Sequence, residues 1–124
     1  MRKPTVLAVA ALLLTGCAAG QSGAPRVDPD RISRVEIEEA GPSSAYDLIR
    51  KLRPLWLNKR GNTSFTQDTD VWVYLDGTRV GEREMLRGVR TDNLESLEFM
   101  DARRATNRYG PGHMNGAILL NTLG

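Results

Sequence analysis

Val71-Trp72-Val73-Tyr74-Leu75-Asp76-Gly77 is a β-branched and aromatic run that ends in a turn dipeptide, and the architecture hangs on it. Residues 71–75 are apolar without a break, which leaves no polar side, so the run reads as an interior strand covered on both faces. Asp and Gly both tolerate the positive φ of a two-residue hairpin, which makes Thr78-Arg79-Val80 the return strand. Residues 82–89 read as an irregular helical turn or two with Met85 and Leu86 inward. Leu94-Glu95-Ser96-Leu97-Glu98-Phe99-Met100 alternates, placing Leu97 and Phe99 on one face and Glu98 on the other. Residues 102–109 read as a short helix stopped by Gly110 in the αL conformation. Pro111-Gly112-His113 is a turn, and Ala117-Ile118-Leu119-Leu120 is a buried closing strand.

Upstream, Val35 and Ile37 alternate with Arg34, Glu36 and Glu38, the period of a half-buried strand, with Glu36, Glu38 and Glu39 on its solvated edge. Gly41-Pro42 breaks it, and Ser43 or Ser44 caps the helix that follows, with Asp47 near its positive end. Ala45, Leu48, Ile49, Leu52, Leu55 and Trp56 recur at three- and four-residue spacing, the core-facing stripe of a helix of about three turns, with a groove for a partner helix as the alternative. Pro54 kinks or ends its last turn. Residues 58–70 are polar and read as an exposed loop. The order β-α-β-β-β-α-β predicts a small α+β domain. Its mixed or antiparallel sheet has about four to five short strands, with one main amphipathic helix and a short second helix.

The N-terminus has a different texture. Arg2 and Lys3 precede an apolar stretch over residues 6–14 and then small residues, the layout of a secretory signal. The apolar stretch is too short to span a bilayer, which takes about 20 residues. Leu14-Thr15-Gly16-Cys17 resembles the lipobox of bacterial lipoproteins, in which the cysteine is acylated and becomes the mature N-terminus. An ordinary signal peptide cut elsewhere, for instance after Ala19, would use the same residues. The coincidence of basic start, apolar core and cysteine favours lipid attachment at Cys17. Residues 17–30 are small, polar and rich in Pro and Gly, a flexible tether leading to a domain over residues 31–124.

Cleavage after residue 16 removes Arg2 and Lys3 and leaves 15 Lys+Arg against 15 Asp+Glu, so the formal charge of +2 belongs to the precursor. Basic and acidic residues are interspersed, unlike the clustered footprint of a nucleic-acid binder. With Cys17 the only cysteine, the mature protein has no disulfide and must hold together by packing. The remaining length is that of one small domain, with none to spare for a second domain or a membrane barrel.

Chemistry is thinly represented. His113 is the only histidine, and it reads as a turn residue bonded to backbone; a mixed site with Asp101 or Glu98 is the alternative. Ser43 and Ser44 lack a nucleophile elbow, the Gly-rich turns lack a phosphate-loop Lys, and Asp68 and Asp70 lack the other ligands of a calcium loop. No catalytic residue, metal ligand or cofactor is assigned. Arg103, Arg104 and Arg108, with Arg87 and Arg90, are solvated helix cations or, if clustered, a patch for anionic lipid headgroups or a carboxylate-bearing partner. Trp56, Trp72 and Tyr74 read as core from their periodic context, with a contact surface as the alternative.

Val73-Tyr74-Leu75-Asp76-Gly77, Leu94-Glu95-Ser96-Leu97-Glu98-Phe99, Ala105-Thr106-Asn107-Arg108-Tyr109-Gly110 and Asn115-Gly116-Ala117-Ile118-Leu119-Leu120-Asn121-Thr122 form an ordered series. It resembles the plug domain of TonB-dependent outer-membrane receptors over about residues 32–123. The resemblance implies fold, with Gly77, Gly110, Gly112 and Gly116 as structural turn glycines. The chain departs from that family in having no barrel, no energy-coupling box in the tether and no central Arg-Gly motif, so gating and siderophore transport do not carry over. The expectation is an outer-membrane lipoprotein facing the periplasm, held to the membrane through its N-terminus and acting without catalysis as an interaction module for another envelope protein. Ala18, rather than Asp, after the cysteine favours outer-membrane sorting by the same resemblance. The alternative is an accessory component of TonB-linked uptake that binds a metal chelate or glycan.

Overall fold

The computed structural model describes residues 26–58 and 70–124. The signal segment, Cys17, most of the tether, and residues 59–69 of the expected loop, with Asp68, lie outside the described residues.

A five-stranded mixed sheet forms from β1 (Arg31–Ile32), β2 (Trp72–Leu75), β3 (Thr78–Glu82), β4 (Leu94–Met100) and β5 (Ala117–Thr122), in the order β1-β4-β5-β2-β3. The domain is α+β, as its sequence pattern predicts. β5 runs parallel to β2 and antiparallel to β4, so the last strand of the chain lies at the centre of the sheet. Alternate side chains of β5 enter opposite layers. Ile118 and Leu120 join the larger core with Val73, Leu97, Leu48 and Ile49, while Ala117 and Leu119 join a smaller one with Tyr74, Met100 and Ala105. Helices α1 (Arg34–Ala40) and α2 (Ala45–Leu52) belong to the first layer, and α3 (Ala102–Tyr109) covers the second.

Asp76 and Gly77 both adopt positive φ, +48° and +84°, the condition for the tight β2–β3 turn. The turn is also tied to the end of β5: Asp76 accepts from the Thr122 hydroxyl at 2.7 Å and its backbone N–H at 2.9 Å. Those two donors hold the Asp76 carboxyl below its ordinary value, against a small opposing effect of desolvation.

Residues 34–40 correct the sequence reading, because they form a helix where alternation predicts a strand. Ser33 and Glu36 close a capping box: the Ser33 side chain accepts from the Glu36 N–H, and the Glu36 carboxylate accepts from the Ser33 N–H at 2.8 Å. Only Ile37 is buried on this helix, and Val35 is 62% exposed. The strand that does form, β1, is limited to Arg31 and Ile32 against Glu98 and Leu97. Glu36 is therefore no solvated strand-edge residue.

Ser44 is the cap of α2, accepting from the Asp47 N–H at 3.1 Å. The helix is shorter than predicted. Pro54 starts a separate 3₁₀ turn, Pro54–Leu57, which changes the periodicity so that Trp56 and Leu57 turn inward while Leu55 turns out. In the 3₁₀ segment Arg83–Gly88 the expected pair also divides: Leu86 is fully buried and Met85 is exposed. The predicted stop after α3 stands, although Gly110 has φ +94° with ψ −175°, an extended ψ rather than αL.

Gly116 is where the fold leaves no room. A Cβ there would fall on the Met100 carbonyl oxygen and within 3.1 Å of the Phe99 ring, and its φ is +83°. At Gly110 and Gly112 a Cβ meets open space, leaving only the cost of positive φ. Gly116→Ala is accordingly expected to destabilise by about 3 kcal/mol or more, and Gly112→Ala by roughly 1–2 kcal/mol. Urea unfolding of both variants checks the ranking, and equal losses would contradict it.

Candidate functional site

The chain enters the domain through a knot of hydrogen bonds around Arg53. This guanidinium donates to the carbonyls of Asp28 at 2.9 Å and Arg31 at 3.0 Å, and to the Glu36 carboxylate at 2.7 Å. The Trp56 indole N–H donates to the Pro29 carbonyl at 3.0 Å. Two side chains from the α2–3₁₀ segment thereby fix where the tether leaves the domain. Burial pushes the Glu36 carboxyl upward, but the Ser33 N–H and the Arg53 guanidinium outweigh it and hold the carboxyl below its ordinary value.

Beside this exit lies an apolar groove of about 460 Å³, lined by Pro29, Leu52, Pro54, Leu55, Trp56 and Phe99, with Asp30, Arg53 and Asp101 on its rim. Its floor is a ring stack, Trp56 on Phe99, with centroids 5.8 Å apart and planes 21° apart. A smaller hollow of about 210 Å³ shares Phe99 and Asp101 and continues to Met114, Ala102 and Arg103. The two hollows make one surface that runs from the tether exit around the end of β4 to the start of α3. Leu55, 63% exposed, and Met114, 64% exposed, stand at its ends. The sequence offers Leu55 and Trp56 as part of a core stripe or, alternatively, of a partner groove, but Phe99 and Met114 carry no signal that joins them to it.

His113 is a second cluster. It is 1% exposed, with Nδ1 2.8 Å from the Gly110 carbonyl and Nε2 2.7 Å from the Tyr74 hydroxyl. A carbonyl only accepts, so Nδ1 carries a proton, and in the neutral ring the Tyr74 hydroxyl donates to Nε2. One ring nitrogen thus bonds backbone as the sequence suggests, while the other is taken by a side chain. Tyr74 stacks on Tyr109 at 3.9 Å. Burial, reinforced by Tyr109 and opposed by Arg79, raises the Tyr74 hydroxyl above its ordinary value. The arrangement pins the turn before β5 to β2, and Trp72 adds to it by donating to the Gly112 carbonyl at 2.9 Å.

The structure does not bring His113 together with Asp101 or Glu98. Asp101 caps α3 through the Arg104 N–H at 2.9 Å, and Glu98 pairs with Arg31 at 3.3 Å. Among the described residues no three His, Cys, Asp or Glu side chains converge. Asp70 accepts from the Val71 N–H at 2.8 Å and lies 3.7 Å from Arg83. Of the predicted aromatics, Trp56 and Tyr74 are buried and Trp72 is half-buried. The supposed basic group divides, since Arg87 pairs with Glu84 and Arg90 with Asp92, both at 2.7 Å, away from α3.

Residues 1–18 match the prokaryotic membrane lipoprotein lipid attachment site family, and Cys17 falls inside the match. The protein is a membrane-anchored lipoprotein of the cell envelope. No helix among the described residues is long and apolar enough to cross a membrane. No curated protein and no solved structure matches the chain.

The Glu36 knot has a pH signature. A carboxyl depressed in the folded state contributes stability above its ordinary value of 4.5 and loses it as pH falls through the depressed value. Glu36→Gln is expected to lose about 1–3 kcal/mol at neutral pH and to show a shallower loss of stability below about pH 4.5 than the wild type. Denaturant titrations across pH check this, and parallel acid limbs would contradict it.

Proposed function

We propose that this chain is an outer-membrane lipoprotein whose periplasmic domain, plug-like in its sequence motifs, is a non-catalytic interaction module. The surface from Leu55 through Trp56 and Phe99 to Met114 receives an apolar segment of an envelope protein. The groove carries this reading: it combines a rigid aromatic floor, two exposed apolar ends and a rim of both charge signs, the makeup of a protein contact site. Support for the plug-like assignment is the ordered motif series of residues 73–122 and the α+β fold. Ala18 supports outer-membrane sorting. Both nitrogens of His113 are engaged in holding the turn, which supports a structural role for the sole histidine.

One observation favours a second reading. A volume of about 460 Å³ falls within the range of small-molecule sites, so the groove also suits a ligand-binding accessory of TonB-linked uptake. Calorimetry with metal chelates and glycans, together with growth of a deletion strain under iron limitation, separates the two.

Photo-crosslinkers placed at Leu55 and Met114 in cells are expected to trap the same envelope protein, while one at Val35, equally exposed on α1, traps none. Leu55→Asp should reduce the Met114 adduct at least tenfold. Equal trapping from all three positions, or none from any, would overturn the groove assignment.

A further inference from the structure

The arginines of α3 differ from most of the other arginines among the described residues. In the α1–α2 layer Arg34 pairs with Glu38 at 2.8 Å, Arg53 with Glu36 at 2.7 Å and Arg50 with Asp47 at 3.1 Å. Arg87 and Arg90 are likewise neutralised by Glu84 and Asp92. Arg103, Arg104 and Arg108 are exposed and make no ion pair with any described residue. Arg79 adds a fourth cation on the same face of the sheet, 4.5 Å over the Trp72 ring. Among the described residues the acidic groups on this side are few. Glu98 is held by Arg31, Asp101 is occupied at the α3 cap, and Glu82 stands at the β3 edge. The described residues therefore present a cationic face at α3, with Arg104, Asn107 and Arg108 around a shallow hollow.

We propose that this α3 face seats on the anionic headgroups of the bilayer that holds the protein's own lipid anchor. The tether sets the geometry. Eight residues separate Cys17 from Arg26, so the anchor and the domain stay within roughly 30 Å even at full extension. The exit fixed by Arg53 and Trp56 opens beside the surface that ends at Arg103. At that range the headgroups are at high effective concentration, and three guanidiniums outside any ion pair, that of Arg108 lying 5.4 Å from the Tyr109 ring centroid, supply the polybasic second signal that acyl anchoring commonly uses. A soluble acidic protein would meet the same charge without this enforced proximity, which is why the bilayer is the occupant assigned. The inference does not depend on what fills the groove.

The test uses the mature chain, residues 17–124, with Cys17→Ser, so that binding reports the domain and not the acyl chains. It is floated with phosphatidylcholine vesicles, with and without phosphatidylglycerol. Binding is expected only to the anionic vesicles and should fall steeply with salt. The triple variant Arg103→Glu, Arg104→Glu, Arg108→Glu should lose roughly a hundredfold in affinity. A matched triple on the other layer, Arg50→Glu, Lys51→Glu and Arg90→Glu, should lose less than about threefold. Near-ultraviolet circular dichroism of the stacked tyrosines confirms folding, and Arg→Gln at the three α3 positions replaces the first variant if it unfolds. In the acylated protein in nanodiscs, amide exchange of α3 should slow when the lipid is anionic. Absent binding, equal binding to neutral vesicles, equal loss in both triples, or α3 protection only on adding an acidic protein would each overturn the proposal.

Discussion

β5 is the constraint on which the rest depends. It follows the other four strands in chain order, yet it lies at the centre of the sheet, hydrogen-bonded to β2 on one side and β4 on the other. Its side chains supply both cores, so the packing of each layer depends on it. Burial of Ile118 and Leu120 stabilises the first layer by about 1.5–3 kcal/mol each. The chain reaches β5 through a turn with no slack: Gly116 lies against the Met100 carbonyl, and His113 and Trp72 lock the turn to β2. A domain tied this way needs no disulfide, consistent with a chain whose single cysteine lies in the lipid attachment site.

The same arrangement separates the surfaces. α1, α2 and their connections form a layer whose arginines are mostly neutralised by local carboxylates, and its Arg53 also fixes the exit of the tether. α3 forms the other layer, with its cations free. Between them, at the end of β4, Phe99 reaches the Trp56 ring and leaves the apolar groove uncovered. Groove and cationic face thus share β4 and β5 as their support, while Arg53 and Trp56 set the tether exit beside the groove.

Much of this was legible in the chain. The apolar run before Asp76-Gly77 carries a turn dipeptide, residues 94–100 alternate, and the closing apolar run is short and unbroken, and all three form strands. Residues 34–40 were misread because Val35-Glu36-Ile37-Glu38 alternates as a strand would. The signal that outweighs it is Ser33 three residues before Glu36, a capping box made effective by Arg53 from a distant element. Leu55 fits the stripe of α2 until Pro54 changes the turn geometry, and that change exposes it. The groove itself had no local signature, since its floor joins Trp56 to Phe99 across separate elements. Burial of His113 in a Gly-rich turn was equally hidden, because its partner Tyr74 is 39 residues away.

Residue-resolved amide hydrogen exchange of the domain tests the central role of β5 most directly. The account predicts that Ile118, Leu119 and Leu120 exchange last, at the rate of global unfolding and together with Val73 and Leu97, while α1 and the Arg83–Gly88 turn open earlier. Exchange of β5 ahead of α2 would contradict it.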